Sequence, residues 1–333
     1  MTSPDSAAVP AVRHLAANPR GRDFVASDLH GCHGALVRAL DAVRFDPATG
    51  DRLLLAGDLI DRGAQSLECL RLLREPWVYA CLGNHEAMLL TWLGRRESDW
   101  HDAQEFTDNG GAWAEALLES ATRRDLEEFA ELATLVEQLP LVLMVDDTDM
   151  PFNVAHTDLF PLLRKLRAAD GTPQSLQASL GRLGPLPCTR ADAALWSRKL
   201  AYEADRCCAQ CPPARLAGDH LMVSDTPYEA GLALTYVGHT PTPALRLHRS
   251  RLFIDRGAVY ADAAGSSWRL ALLEHGKVAR AISSLFPRSR VELHADAQHR
   301  QELADKDWDL HTRPQACLDR GVPHVDLRGG FSA

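Results

Sequence analysis

Over about its first ninety residues the chain repeats one local pattern three times: a short apolar run, a polar turn carrying glycine, then a helix-period segment. The run at 22–27 ends in Asp28-Leu29-His30-Gly31 and leads to a helical pattern over 35–43. The run at 53–56 ends in Gly57-Asp58-Leu59-Ile60-Asp61-Arg62-Gly63, with Leu67, Leu70 and Leu73 helically spaced beyond it. The run at 77–82 ends in Gly83-Asn84-His85-Glu86, before Met88, Leu89 and Trp92. Strand, turn and helix in succession specify βα units and a largely parallel sheet, hence an α/β fold. Such sheets bind ligands beyond the carboxyl ends of their strands, where all three polar motifs fall.

Later segments change character. Residues 99–139 read as helical around a turn at Asn109-Gly110-Gly111, with apolar residues at helix period over 112–119 and 122–138. Strands are expected at 141–145, 152–155, 221–223, 232–237, 251–254, 268–273 and 277–282, and a helix near 159–168. The stretch 1–21 reads as a loose leader without the apolar core of a secretory signal, and 286–333 as a polar tail.

Composition narrows the function classes. With 36 Lys+Arg against 45 Asp+Glu the formal charge is -9, which argues against a general nucleic-acid binder. The apolar run at 141–145 falls far below the ~18 residues that span a bilayer, so no membrane partner and a cytoplasmic location are expected. The 8 cysteines show no disulfide framework. Cys207, Cys208 and Cys211 cluster, but no second pair completes a zinc site, so they read as surface or packing thiols.

Taken singly, each strand-end motif has an ordinary structural reading: Asp28 and His30 as a solvated turn, Asp58 as a helix N-cap, Glu86 as a partner of a helix dipole. Together they deliver Asp, His, Asp, Asn and His to one crevice. Residues i and i+2 of an extended strand point to one face, so Asp28 and His30 converge as metal donors do. His156 and His239 close two later strands and add imidazoles to the same edge.

These motifs, in this order, resemble the signature of the phosphoprotein phosphatase family of metallophosphoesterases, in its bacterial and bacteriophage lambda branch. Asn109-Gly110-Gly111 followed by Trp113, Leu195-Trp196-Ser197-Arg198, Gly238-His239-Thr240-Pro241 and Ile254-Asp255-Arg256-Gly257 extend the likeness, which covers about residues 24–273. It implies an α/β metallophosphoesterase β-sandwich flanked by helices. One catalytic domain would span 22–285, with a helical insertion near 99–139. Asp28 and His30 would hold one divalent metal, Asn84, His156 and His239 the other, with Asp58 bridging. Manganese is the expected ion, with iron or zinc as alternatives.

Two such cations carry about +4, and the ligand carboxylates with a bridging hydroxide remove about three units, leaving a positive pocket in an acidic protein. Arg62 and Arg198 would clamp the phosphoryl oxygens. The bridging hydroxide would attack phosphorus in line, with His85 as general acid held by Asp61. Arg256 departs from the family's usual small residue and reads as a surface substitution, with an extra cation near the pocket rim as the alternative.

The implied activity is that of a serine/threonine protein phosphatase, with phosphotyrosine as a further substrate class, acting on phosphoproteins or small phosphoesters. Symmetrical dinucleoside-tetraphosphate hydrolysis is the alternative on this scaffold, although Glu86 and Asp61 favour the phosphatase within the family pattern. An inactive phosphoprotein-binding module is the reading from another class.

Overall fold

The computed structural model describes residues 8–147, 150–170, 176–207, 214–216, 219–224, 226–261 and 268–285. The expected tail at 286–333, and Cys208 and Cys211, lie outside the described residues.

The repeats fold as read. Strand β2 (Asp23–Ala26) leads to helix α1 (His33–Ala42), β3 (Arg52–Leu55) to α2 (Ser66–Arg71), and β4 (Val78–Ala80) to α3 (Asn84–Trp92). The three strands pair in parallel, with Phe24 opposite Leu53 and Leu55 opposite Ala80. Strand β12 (Leu272–Glu274) joins the other edge antiparallel, giving the order β12-β2-β3-β4. A second sheet of eight strands contains β1 (Val12–Leu15), β5 (Val142–Val145), β6 (Phe152–Ala155), β7 (Ala214–Leu216), β8 (Asp219–Val223), β9 (Leu234–Val237), β10 (Leu245–His248) and β11 (Arg251–Phe253). Its order is β1-β5-β6-β9-β11-β10-β8-β7.

Alternation of side chains explains the layering. Phe24, Ala26, Leu53 and Leu55 pack into a core shared with the helices, while Val25, Leu54 and Ala56 enter a second core with Val154, Tyr236, Leu252 and Ile254 of the large sheet. The small sheet is therefore buried on both faces, which is why its strands read as continuous apolar runs. Each fully buried Leu is worth about 1.5–3 kcal/mol of transfer free energy. The Cys81 thiol donates to Val154 O at 3.0 Å and ties the two sheets together. The expected β-sandwich with flanking helices is what the chain forms.

Between α3 and β5 lie α4 (Ala103–Phe106), a π-helical turn (Thr107–Gly111), α5 (Ala112–Ser120) and α6 (Arg123–Glu137). Helix α6 buries Phe129, Leu132, Ala133 and Val136. Helices α7 (Phe160–Asp170), α8 (Leu176–Gly181), α9 (Cys188–Leu195) and α10 (Lys199–Cys207) precede β7, and α11 (His275–Leu285) ends the described chain.

Three expectations need correction. The stretch 1–21 is not all loose: β1 runs parallel to β5, with Val12 opposite Val142, and Val142 N donates to Ala11 O at 3.0 Å. The outer edge of β5 would otherwise leave buried amides unpaired. Residues 277–282, read as a strand, lie in α11, because Val278 and Ile282 are one helical turn apart and both enter the inter-sheet core. Strand β10 escaped the reading because Arg246 and His248 look solvent-facing, yet all four of its residues are buried.

Candidate metal centre and phosphoryl site

The strand ends of the small sheet and two strand ends of the large one meet. Ten non-glycine residues among those described have positive φ, and six belong here: Asp28, His30, Asp58, Asp61, Arg62 and His239. Left-handed backbone at such residues costs on the order of 1–3 kcal/mol each, so the surrounding packing must hold it in place. Gly83 and Gly238 allow the approach: a Cβ on Gly83 would run into the backbone and carboxylate of Asp58, and one on Gly238 into the Asp28 carboxylate.

Donor atoms then gather in two groups around one carboxylate. His30, Asp58 and His85 form one, and Asp58, His156 and His239 the other; the donors within each lie within 4.8 Å of one another. His30 Nδ1 donates to Ile60 O at 3.0 Å and His156 Nδ1 to Ala56 O at 2.9 Å. These bonds fix the tautomers and put each ring's lone pair on Nε2, the nitrogen that faces the donor groups. His156 Nε2 lies 2.8 Å from Asn84 Oδ1, 3.1 Å from His239 Nδ1 and 3.3 Å from Asp58 Oδ1.

The electrostatics favour cations at this point. Burial pushes the Asp28 carboxyl well up, and the neighbouring Asp255 and Asp58 carboxylates push it further. Burial and Asp58 also contribute to raising Asp255, to about 6, against the bond from Gly257 N. Burial alone would raise Asp58, but His156, His85, His30 and Arg62 hold it well below the usual carboxylate range. Three buried carboxylates with imidazole and amide donors form an oxygen–nitrogen set without thiolate, suited to manganese, iron or zinc.

The remaining predicted residues take definite places. Asp28 accepts the His239 amide on both oxygens, at 2.9 and 3.0 Å. His85 Nδ1 lies 2.6 Å from Asp61 Oδ2, and Trp113 Nε1 donates to Asp61 Oδ1 at 2.7 Å. Arg62 reaches His30 Nε2 at 2.8 Å and His85 Nε2 at 3.1 Å through separate guanidinium nitrogens. Arg198 donates to His239 O at 3.0 Å and Thr240 Oγ1 at 3.3 Å. The sequence reading did not group His85 with metal donors; the structure places its ring at 4.7 Å from that of His30.

Glu86 does more than face a helix dipole. Its Oε2 accepts from Asp58 N at 2.9 Å and Gly83 N at 3.0 Å, and its Oε1 accepts from Leu59 N at 2.8 Å. A fully buried carboxylate thereby joins two site loops, and burial pushes its pKa up to about 8. No periodicity marks that role. Trp113 was legible only as part of the Asn-Gly-Gly segment. Arg256 is buried, not superficial: it is 3% exposed and its Nε donates to Thr242 O at 3.0 Å. The carbonyl of that turn supplies the partner that burial of a guanidinium requires.

Residues 24–177 match the calcineurin-like phosphoesterase family. The chain is 37% identical to serine/threonine-protein phosphatase 2 of Salmonella typhimurium over 135 residues, covering 40% of this chain and 57% of that protein. It is 38% identical over 135 residues to serine/threonine-protein phosphatase 1 of the same organism, covering 40% and 58%. A symmetrical bis(5'-nucleosyl)-tetraphosphatase of Actinobacillus pleuropneumoniae is 38% identical over 120 residues, covering 35% of this chain and 40% of that protein. The chain thus spans little more than half the length of the phosphatases it matches. Over residues 24–177 the chain therefore resembles the calcineurin-like phosphoesterases, consistent with the bacterial branch of the phosphoprotein phosphatases.

Proposed function

We propose that this chain is a metal-dependent phosphomonoesterase, a serine/threonine protein phosphatase that also accepts phosphotyrosine. The observation that carries the reading is the His85–Asp61 contact of 2.6 Å, set beside a carboxylate common to two donor groups. Asp28, His30, Asp58, Asn84, His156 and His239 would hold two divalent cations, manganese in preference to iron or zinc, and Asp58 belongs to both donor groups. When bound, the cations supply Lewis acidity toward the phosphoryl oxygens and lower the pKa of water.

The chain's own residues do the rest. Arg62, beside His30 and His85, and Arg198, beside His239, orient the phosphoryl group by charge-assisted hydrogen bonds. For Arg62 this means exchanging its contacts to His30 and His85 for phosphoryl oxygens. Asp61 fixes the His85 ring through Nδ1, and Trp113 occupies the other Asp61 oxygen, so the carboxylate cannot rotate away. His85 Nε2 is then the atom that delivers a proton to the leaving oxygen. No described helix is long and apolar enough to cross a membrane.

Cleavage of dinucleoside tetraphosphates is the second reading, favoured by the similarity to the Actinobacillus enzyme. The test is metal-stripped protein titrated with manganese and assayed on a phosphoserine/phosphothreonine peptide, a phosphotyrosine peptide and diadenosine tetraphosphate. Dominant phosphopeptide turnover is expected. Faster cleavage of diadenosine tetraphosphate reassigns the substrate, and inactivity on all three with manganese, iron and zinc leaves a binding module. His85→Asn is expected to cut turnover by about 10²–10⁴-fold with metal content unchanged; parallel loss of metal would move His85 into the ligand set.

A further inference from the structure

The strand that delivers His156 continues into a buried aspartate that the site has not used. Asp158 is 1% exposed, and its carboxylate faces the turn between α9 and α10, which carries Arg198. Asp158 Oδ1 accepts from Ser197 Oγ at 2.6 Å and from Phe160 N at 2.9 Å, while Oδ2 accepts from Leu200 N at 2.7 Å. The two bonded positions, 197 and 200, bracket Arg198 on either side. Thr157 adds a hydroxyl bond to Ala194 O, one turn earlier on α9. From below, Arg251 Nε donates to the Asp158 carbonyl at 3.3 Å and fixes the backbone of the acceptor itself.

At its other end, the Arg198 guanidinium is held by His239 O and Thr240 Oγ1. Its base is therefore tied to the end of β6 and its tip to the end of β9. A long cationic side chain loses much of its rotamer freedom before any ligand arrives, which lowers the entropic cost of binding an anion.

We propose that Asp158 is a positioning residue that sets Arg198 for phosphoryl binding by clamping both flanks of the turn that carries it. The proposal rests on reading Arg198 as a phosphoryl-binding residue. Asp158 touches no substrate; it acts through the backbone of 197–200. An asparagine there keeps the volume but turns an amide N–H toward either Leu200 N–H or Phe160 N–H, so one of the carboxylate's backbone bonds is lost, and the Ser197 bond is no longer to a charged acceptor.

The experiment measures binding of inorganic phosphate to the manganese-loaded full chain by calorimetry, alongside KM and kcat for p-nitrophenyl phosphate. Asp158→Asn is expected to weaken phosphate binding about tenfold and to raise KM, with manganese content unchanged. In an Arg198→Ala background the same substitution is expected to add nothing. Ser197→Ala, which removes one bond and leaves the carboxylate in place, is expected to give a smaller loss in the same direction and guards against a misfolded Asp158→Asn.

Unchanged phosphate affinity in Ser197→Ala together with Asp158→Asn would overturn the proposal. So would an equal loss in the presence and absence of Arg198, since that is general structural damage. Phosphate binding without turnover, weakened by the variants, would retain the positioning role and remove the hydrolase reading. A wild-type chain that binds neither phosphate nor substrate would remove the Arg198 reading and this proposal with it.

Discussion

The small sheet brings Asp28, His30, Asp58, Asn84 and His85 from three successive strand ends, whereas the large sheet brings His156 and His239 from strands separated by four helices and two other strands. The first set is built by repetition: each βα unit ends on the same edge, so its polar turn arrives at the crevice by local geometry alone. The second set is built by register. Strands β6 and β9 pair in parallel with Ala155 opposite Val237, and Gly238 N donates to His156 O at 3.0 Å. His156 and His239 therefore leave the sheet side by side. A donor set assembled this way couples two parts of the core, so a fault in either sheet reaches both donor groups.

The comparison can be broken most forcefully at the residue both groups share. Asp58→Asn is expected to lower manganese content at both positions and to reduce turnover by more than about a hundredfold, read by metal analysis and a phosphopeptide assay. Full metal content in that variant would mean that Asp58 is not common to the two groups.

The next effect separates the sheets. His239→Ala, on the large sheet, is expected to remove about one of the two manganese equivalents, and His30→Ala, on the small sheet, the other. If either substitution strips both metals, the two groups are one cooperative site and the division by sheet fails.

The smallest effect lies away from the crevice, where α6 packs beside α2. Arg71 donates to Glu128 at 2.9 and 2.8 Å, and Arg74 adds a bond of 2.7 Å. The hydrogen bonds from Arg71, then Arg74, hold the Glu128 carboxyl down to about 2, against an ordinary 4.5. A depressed carboxyl stabilises the fold fully above pH 4.5, and that contribution is lost as pH falls through about 2. Glu128→Gln is therefore expected to lower the urea midpoint slightly at pH 7, with the gap to wild type closing below pH 4.5. Because the pair is partly exposed, the difference is small. A gap that is undiminished below pH 2 would assign the loss to packing instead of charge.

Much of this was open to reading in the sequence because the chemistry sits where a repeated local pattern ends. Three apolar runs, each closed by Asp, His or Asn beside glycine, determine a parallel sheet and the edge on which donors collect, since strand direction and side-chain alternation are local properties of the backbone. His156 and His239 were legible as the residues that close two later apolar runs, and the motif order carried the family resemblance and, with it, Arg198.

Tertiary structure alone decided what holds those residues. Glu86 ties two loops only because β3 and β4 are neighbours, Trp113 reaches Asp61 across 52 positions of sequence, and Asp158 meets the Arg198 turn 40 positions on. Arg256, Arg246 and His248 look like surface residues and are buried, because carbonyls and carboxylates that satisfy them come from distant elements. The edge strand β1 forms for the same reason: it is the exposed backbone of β5, not any pattern within residues 8–15, that calls for a partner. Periodicity records which face a residue takes on its own element; burial of a charge depends on a partner that no local pattern contains.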